Sequence, residues 1–207
     1  AALVALMTNW VNTNGENLLF RVVQDALEHE RAARGITDQA ATIAFVRAGT
    51  AAFYGNYYFW VNVCALLLQA LVASRLLAYG GFGAIFLLLP VIALVSYSAM
   101  AFLPVLAMVR AMKVAENSVD YSINNTARQV LWLPTTAEMK YKAKPVVDSL
   151  FVRLGDGCAA VTVLLGVHLL NLSTQSFFLV NVVLVLAWLA AAIAIVRGHA
   201  RLTAPRP

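Results

Sequence analysis

The chain has 207 residues, of which 61% are hydrophobic and 12% are charged, and its mean hydropathy is +0.76. Soluble domains average about 45–50% apolar and about 25% charged residues, so this composition excludes a soluble globular enzyme and a disordered chain. The net charge of +5 comes from basic residues dispersed between apolar runs, which does not fit a nucleic-acid-binding domain. The composition predicts an all-α, polytopic membrane protein.

Uncharged windows of about 20 residues, the length that a helix needs to cross a bilayer, divide the chain. The chain begins within an apolar run, so we expect it to be a piece of a longer protein that starts inside a span. The window 76–109 has 34 uncharged residues, which is enough for two short spans. A break near residues 96–98 would place Pro104 inside the next helix. The six predicted transmembrane helices are 1–23, 48–75, 82–97, 100–127, 145–170 and 175–197.

The loops between these helices differ in charge. The loops near 75–81, 128–144 and 197–207 carry eight basic residues and one acidic residue, whereas 21–47 on the other side balances four of each. The positive-inside rule places the first set, and with it both chain ends, in the cytoplasm. A single span across 76–109 would weaken this asymmetry, so the charges favour six helices.

The soluble segments are short. Gly35 can stop a helix and Asp38 can cap another one, and Pro145 suits the first turn of the fifth helix. The predicted organisation is a transmembrane domain over 1–207, with an outer-side loop with short helices at 24–47, a cytoplasmic loop at 128–144 and a cytoplasmic tail at 198–207.

No set of residues typical of metal binding or catalysis is present. Cys64 and Cys158 lie in separate apolar runs, so they predict neither a disulfide framework nor a metal site. His29, His168 and His199 do not pair at a zinc-ligand spacing. We therefore expect a protein that is not an enzyme, with no metal and no cofactor.

The fourth predicted helix carries the densest set of charged and amide side chains. At 100° per residue they fall within an arc of about 120°. Hydrocarbon does not tolerate ionised groups, so this polar stripe is expected to face a watery cavity or partner charges. A helix end that extends into the cytoplasm is the alternative for Asn124 and Arg128. The stripe consists of Arg110, Lys113, Glu116, Asn117, Asp120, Asn124 and Arg128.

Two other helices carry polar groups. The amides around Asn12 and Glu16 could unwind the first helix and bind a ligand, as in broken transporter helices, or mark an interfacial helix end. The fifth helix contains Asp148, Arg153 and Asp156, which are candidates for gating ion pairs or for a structural salt bridge. Aromatic residues typical of an interfacial belt follow one another in the second helix: Tyr54, Tyr57, Tyr58 and Trp60.

Two stretches resemble the ATP/ADP translocase (NTP/NDP exchange transporter) family of bacteria and plastids: Lys113-Val-Ala-Glu-Asn-Ser-Val-Asp-Tyr-Ser-Ile-Asn-Asn-Thr-Ala-Arg-Gln-Val-Leu-Trp-Leu-Pro134 and Lys140-Tyr-Lys-Ala-Lys-Pro-Val-Val-Asp148. The resemblance covers mainly 113–157, with weaker support from 9–19. That family is similar to the major facilitator superfamily, with twelve helices in two halves. The resemblance implies that this chain is the C-terminal six-helix half.

The resemblance also implies a function, namely nucleotide exchange by alternating access across a bacterial inner membrane. The expected partners are the lipid bilayer, a small anionic substrate such as a nucleotide, and a second six-helix half in the same chain or in a second copy. The polar stripe, with Asn12 and Glu16, is then the predicted substrate site. Family members that carry ATP tend to have a basic residue where this chain has Asp120. Two alternatives therefore stay open, a transport-inactive sensor or scaffold and a major-facilitator transporter of another substrate.

Overall fold

The computed structural model describes residues 1–203, with side chains to Arg201, and this part of the chain is all-helical. Residues 204–207 of the predicted cytoplasmic tail lie outside the described residues. Three π-helical segments, Leu68–Ala73, Asp120–Asn124 and Val147–Phe151, connect α2 to α3, α4 to α5 and α6 to α7. The helices are α1 (Ala2–Ala33), α2 (Gln39–Leu67), α3 (Ser74–Phe102), α4 (Leu106–Val119), α5 (Asn125–Leu131), α6 (Ala137–Val146), α7 (Val152–His168) and α8 (Thr174–Thr203).

The breaks within the apolar region 76–109 lie at a glycine and at a proline. Gly81 has φ +66° and ψ −171°, a conformation that residues with a Cβ rarely adopt, and it bends the long helix that begins at Gln39. Pro104 lies between α3 and α4, because its ring disfavours helical geometry at the preceding Leu103. The predicted break near 96–98, with Pro104 inside the next helix, is therefore wrong.

The segment 24–47 holds no separate short helices. It is made of the last turns of α1 and the first turns of α2, because the chain turns only over residues 34–38. Gly35 has φ +65° just after the end of α1, and the Asp38 carboxylate accepts a hydrogen bond from the Ala41 N–H at 2.8 Å. Gly35 therefore marks the end of the long helix α1, and Asp38 caps the beginning of the long helix α2.

The segment 128–144 is also mostly helical, contrary to the predicted loop. α5 continues to Leu131, and α6 begins at Ala137 because the Thr136 hydroxyl caps it by accepting from the Met139 N–H at 3.3 Å. Pro145 therefore lies inside a helix and not in its first turn. Since proline has no N–H to donate, the regular hydrogen bonding is interrupted there, and the π-helical segment Val147–Phe151 follows directly.

The described helices form a bundle around α1, which packs against α2, α4, α7 and α8, while α3 packs against α4 and α8. Large apolar side chains are exposed on the outside of the bundle, as is expected of a surface that faces lipid. Within the described part of the chain, three helical stretches are long and apolar enough to cross a membrane: Gln39–Phe102, Ala137–His168 and Thr174–Arg201. These observations confirm the prediction of an all-α membrane protein.

Candidate substrate site

A lysine at the contact between α1 and α4 forms the centre of the polar stripe. The Lys113 side chain is 0% exposed. Its Nζ lies 3.1 Å from Glu116 Oε2, 3.4 Å from Glu16 Oε1 and 3.2 Å from Asn12 Oδ1. These three oxygens match the three N–H donors of an ammonium group. The middle of the stripe therefore faces partner groups on α1.

Two buried tyrosines complete this cluster. The Tyr97 Oη of α3 lies 3.2 Å from Glu116 Oε1. The Tyr57 Oη of α2 accepts a hydrogen bond from Asn117 Nδ2 at 2.7 Å, and the same amide donates to Glu16 Oε1 at 2.7 Å. No pattern in the sequence marks Tyr97, which stands in an apolar run. The assignment of Tyr57 to an aromatic belt is wrong, because its side chain is fully buried and its hydroxyl is bonded to Asn117.

Tyr97 and Lys113 can approach α1 closely enough to form this cluster because α1 has a glycine, Gly15, at the point of contact. A Cβ at Gly15 would lie 2.0 Å from Tyr97 Oη and 2.8 Å from Lys113 Nζ, so no larger residue fits without displacing both. α1 stays helical through this region, and the predicted unwinding around Asn12 and Glu16 is wrong. Their side chains bond to α4, so the backbone of α1 keeps its own hydrogen bonds.

The side-chain amides of Asn12 and Asn124 bind Asp120, which lies one helical turn beyond Glu116. Its Oδ2 accepts from Asn12 Nδ2 at 3.3 Å, and its Oδ1 accepts from Asn124 Nδ2 at 2.7 Å. A cleft of about 350 Å³ opens beside these groups, and it is lined by Asp120, Tyr121, Asn124, Asn125 and Arg128. The Arg128 Nη2 atom lies 3.0 Å from Asp148 Oδ1, and both side chains are more than a third exposed. This end of the stripe is therefore open to its surroundings.

The remaining predicted residues lie apart from the cluster. Arg110 donates a hydrogen bond to Asn56 of α2 and lies 5.9 Å from the centre of the Phe53 ring. Arg153, which is 84% exposed, lies 3.6 Å from Asp156, as its spacing predicts. Asp156 also accepts from the Thr13 hydroxyl at 2.7 Å, so it connects α7 to α1.

The π-helical segment Asp120–Asn124 interrupts the stripe. A π-helical turn leaves backbone carbonyls without their regular partners. Along this stretch three hydroxyl groups donate to the backbone carbonyls four residues earlier: Ser118 to Val114 O at 2.5 Å, Ser122 to Ser118 O at 2.5 Å and Thr126 to Ser122 O at 3.3 Å. Such bonds satisfy backbone groups that water cannot reach.

The match to a family model covers most of these residues. The family described as TLC ATP/ADP transporter matches residues 68–199, which include the whole polar stripe but not Asn12 or Glu16. A search of curated proteins and a search of solved structures each gave no match. Since the matched region is well over half of the chain and contains both stretches that resemble the translocases, this protein belongs to the TLC ATP/ADP transporter family.

Proposed function

We propose that this chain is the C-terminal half of a secondary transporter that exchanges nucleotides, or a related organic anion, by alternating access. One observation carries the proposal: the fully buried Lys113 of α4 lies 3.1 Å from a carboxylate of its own helix and 3.4 Å from a carboxylate of α1. A phosphate group offers the same acceptor oxygens as those carboxylates and could replace them.

If a bound anion replaces the carboxylate of Glu16 at Lys113, the contact between α1 and α4 changes, and this change provides a conformational switch. In the present structure Glu16 neutralises Lys113 and holds α1 against α4. An anion that binds Lys113 releases Glu16 and weakens this contact. A ligand shifts a conformational equilibrium only through such differential contacts. We propose that the exposed pair of Arg128 and Asp148 opens and closes the adjacent end of the path.

The open end of the stripe, at Asp120 and Arg128, supports the proposal that a second half of the transporter packs against this chain. The cleft beside Asp120 and Arg128 is open in this chain, and hydrocarbon would not tolerate these groups. A second six-helix half, in the same chain or in a second copy, would cover them as in the major facilitator fold. In this arrangement six helices cross the bacterial inner membrane, and the C-terminus faces the cytoplasm.

Uptake by the reconstituted full-length protein tests the proposal. Proteoliposomes preloaded with ADP should take up labelled ATP, and Lys113→Met should abolish this uptake. The matched control is Lys142→Met, because Lys142 is exposed and pairs with Glu138 on the same exposed helix surface. Equal incorporation of the variants into vesicles separates a functional loss from misfolding. Normal uptake by Lys113→Met would remove Lys113 from the site.

Asp120 favours a second candidate function, a membrane sensor or scaffold that kept the fold and lost transport. The negative charge lies on the open cleft, where it would repel a phosphate group. Thermal stabilisation of the full-length protein by nucleotides or other anions without any uptake would favour this second function over exchange.

A further inference from the structure

The charges of the buried cluster do not balance. Lys113 contributes one positive charge, whereas Glu116 and Glu16 together contribute two negative charges when both are ionised. Glu16 is 32% exposed, but the Glu116 side chain is only 3% exposed. A buried ionised carboxylate without its own cation is very costly, so such a group binds a proton instead.

The hydrogen bonds of Tyr97 locate this proton. The Tyr97 Oη lies 3.2 Å from the Val11 carbonyl oxygen and 3.2 Å from Glu116 Oε1. A hydroxyl has one proton to donate, and both neighbours are acceptors if Glu116 is ionised. A proton on Glu116 Oε1 resolves the conflict, because Glu116 then donates to Tyr97 and Tyr97 donates to Val11. Glu116 Oε2 remains free to accept from Lys113.

We infer that Glu116 is a proton-binding site and that its protonation is coupled to the binding of the transported anion at Lys113. This inference rests on the proposed function. The titratable and charged groups that face Glu116 are Lys113 on its own helix, Glu16 on α1 and Tyr97 on α3. Tyr57 of α2 is linked through Asn117 to Glu16. Asp120, one turn further along the same helix, lines the cleft and is bonded to Asn12 and Asn124.

The direction of the coupling follows from the charges. With Glu116 neutral, Lys113 is neutralised by Glu16 alone, and an arriving anion has to displace only this partly exposed carboxylate. With Glu116 ionised, two carboxylates hold the lysine and repel the anion. Glu116 therefore carries its proton in the state that accepts the anion, and loss of this proton lets Lys113 hold two ionised carboxylates and lowers the affinity for the anion. Anion uptake should weaken as the pH rises.

Transport kinetics of the full-length protein in proteoliposomes test this coupling. The KM for labelled ATP should rise about tenfold per pH unit above the pH at which Glu116 loses its proton, as one linked proton requires. Glu116→Gln carries a neutral group at any pH and should abolish this slope. Glu138→Gln, which changes an exposed glutamate of α6, should keep it. A slope that persists in Glu116→Gln would overturn the inference.

Infrared spectroscopy tests the proton itself, without any transport. The wild-type protein in detergent at neutral pH should show the C=O band of a protonated carboxylic acid. This band should disappear in Glu116→Gln and remain in Glu138→Gln. If Glu116→Gln fails to fold, Tyr97→Phe serves instead, and it should shift the band because it removes the hydrogen-bond partner of Glu116. A band that is absent, or that neither variant changes, would refute the proton site.

The two arms separate this inference from the proposed function. The infrared band with no uptake of any anion means that Glu116 binds a proton but that the chain is no exchanger, which overturns the coupling. Uptake with a KM that is independent of pH means that exchange stands and that the coupling is wrong.

Discussion

Two glycines of α7 allow a sharp test of how α1 and α7 pack. A Cβ at Gly155 would lie 2.6 Å from the Leu6 carbonyl oxygen and 3.0 Å from the Trp10 backbone nitrogen. Both atoms belong to the backbone of α1, which cannot move aside without a shift of the whole helix. A Cβ at Gly157 would meet nothing within 4 Å. Gly155→Ala and Gly157→Ala therefore make the same chemical change in one helix, and only the first pushes α1 away.

The expected magnitude follows from this difference. Alanine is favoured over glycine in a helix by about 0.5–1 kcal/mol, and both variants gain this amount. Overpacking a tight contact costs about 1–3 kcal/mol, and only Gly155→Ala bears it. The free energy of unfolding of Gly155→Ala should thus be about 1–3 kcal/mol below that of Gly157→Ala.

Denaturant unfolding of the purified protein in one detergent measures this difference. The comparison between the two variants cancels the effect of the detergent and of the alanine itself. Gly155→Ala should also loosen the contact between Thr13 and Asp156, because that hydrogen bond crosses the same interface at 2.7 Å. Equal stabilities of the two variants would mean that α1 and α7 do not approach as closely as the structure has them.

Three further variants test separate parts of the structure. Asp38→Ala removes the N-cap of α2 and should lower the free energy of unfolding by about 1 kcal/mol, whereas Asp38→Asn should restore most of it. Tyr57→Phe removes the hydroxyl bound to Asn117 and should cost about 1 kcal/mol in the same assay; a stability equal to the wild type would contradict the buried bond. Arg128→Ala should change stability by less than about 1 kcal/mol, because its pair with Asp148 is more than a third exposed, yet it should alter the rate of uptake. An unaltered rate would argue against a gating role.

The sequence predicted the helical stripe of the site better than its surroundings. A period of 3.6 residues places Lys113, Glu116 and Asn117 on one face of any helix, so their common direction needed no structure. The partners on α1 and α3 depend on which helices are neighbours, and single-chain periodicity does not determine that. Asn12 and Glu16 were found through their unusual polarity in an apolar segment, whereas Tyr97 carries no such mark.

Some helix ends could be predicted from the sequence and others could not. Gly35 and Asp38 act as a stop and a cap because these effects are local, and local chemistry is visible in the sequence. The predicted bounds of the fourth and fifth helices failed because one was ended just before Arg128 and the other was begun just after Lys144. Charged residues at the ends of those helices, such as Arg128 and Lys144, stay helical when they find partners in Asp148 and Gln129.

The π-helical segment at Asp120–Asn124 means that this helix contains one residue more than a regular helix of its length needs. If the surplus residue moves along the helix, each side chain that it passes turns by about 100° around the axis, while the ends of the helix keep their places. Asp120 and Asn124, which line the cleft, would then turn away from it by rotation alone. A transporter helix with this property could change the groups that it offers to a ligand without any hinge between rigid bodies.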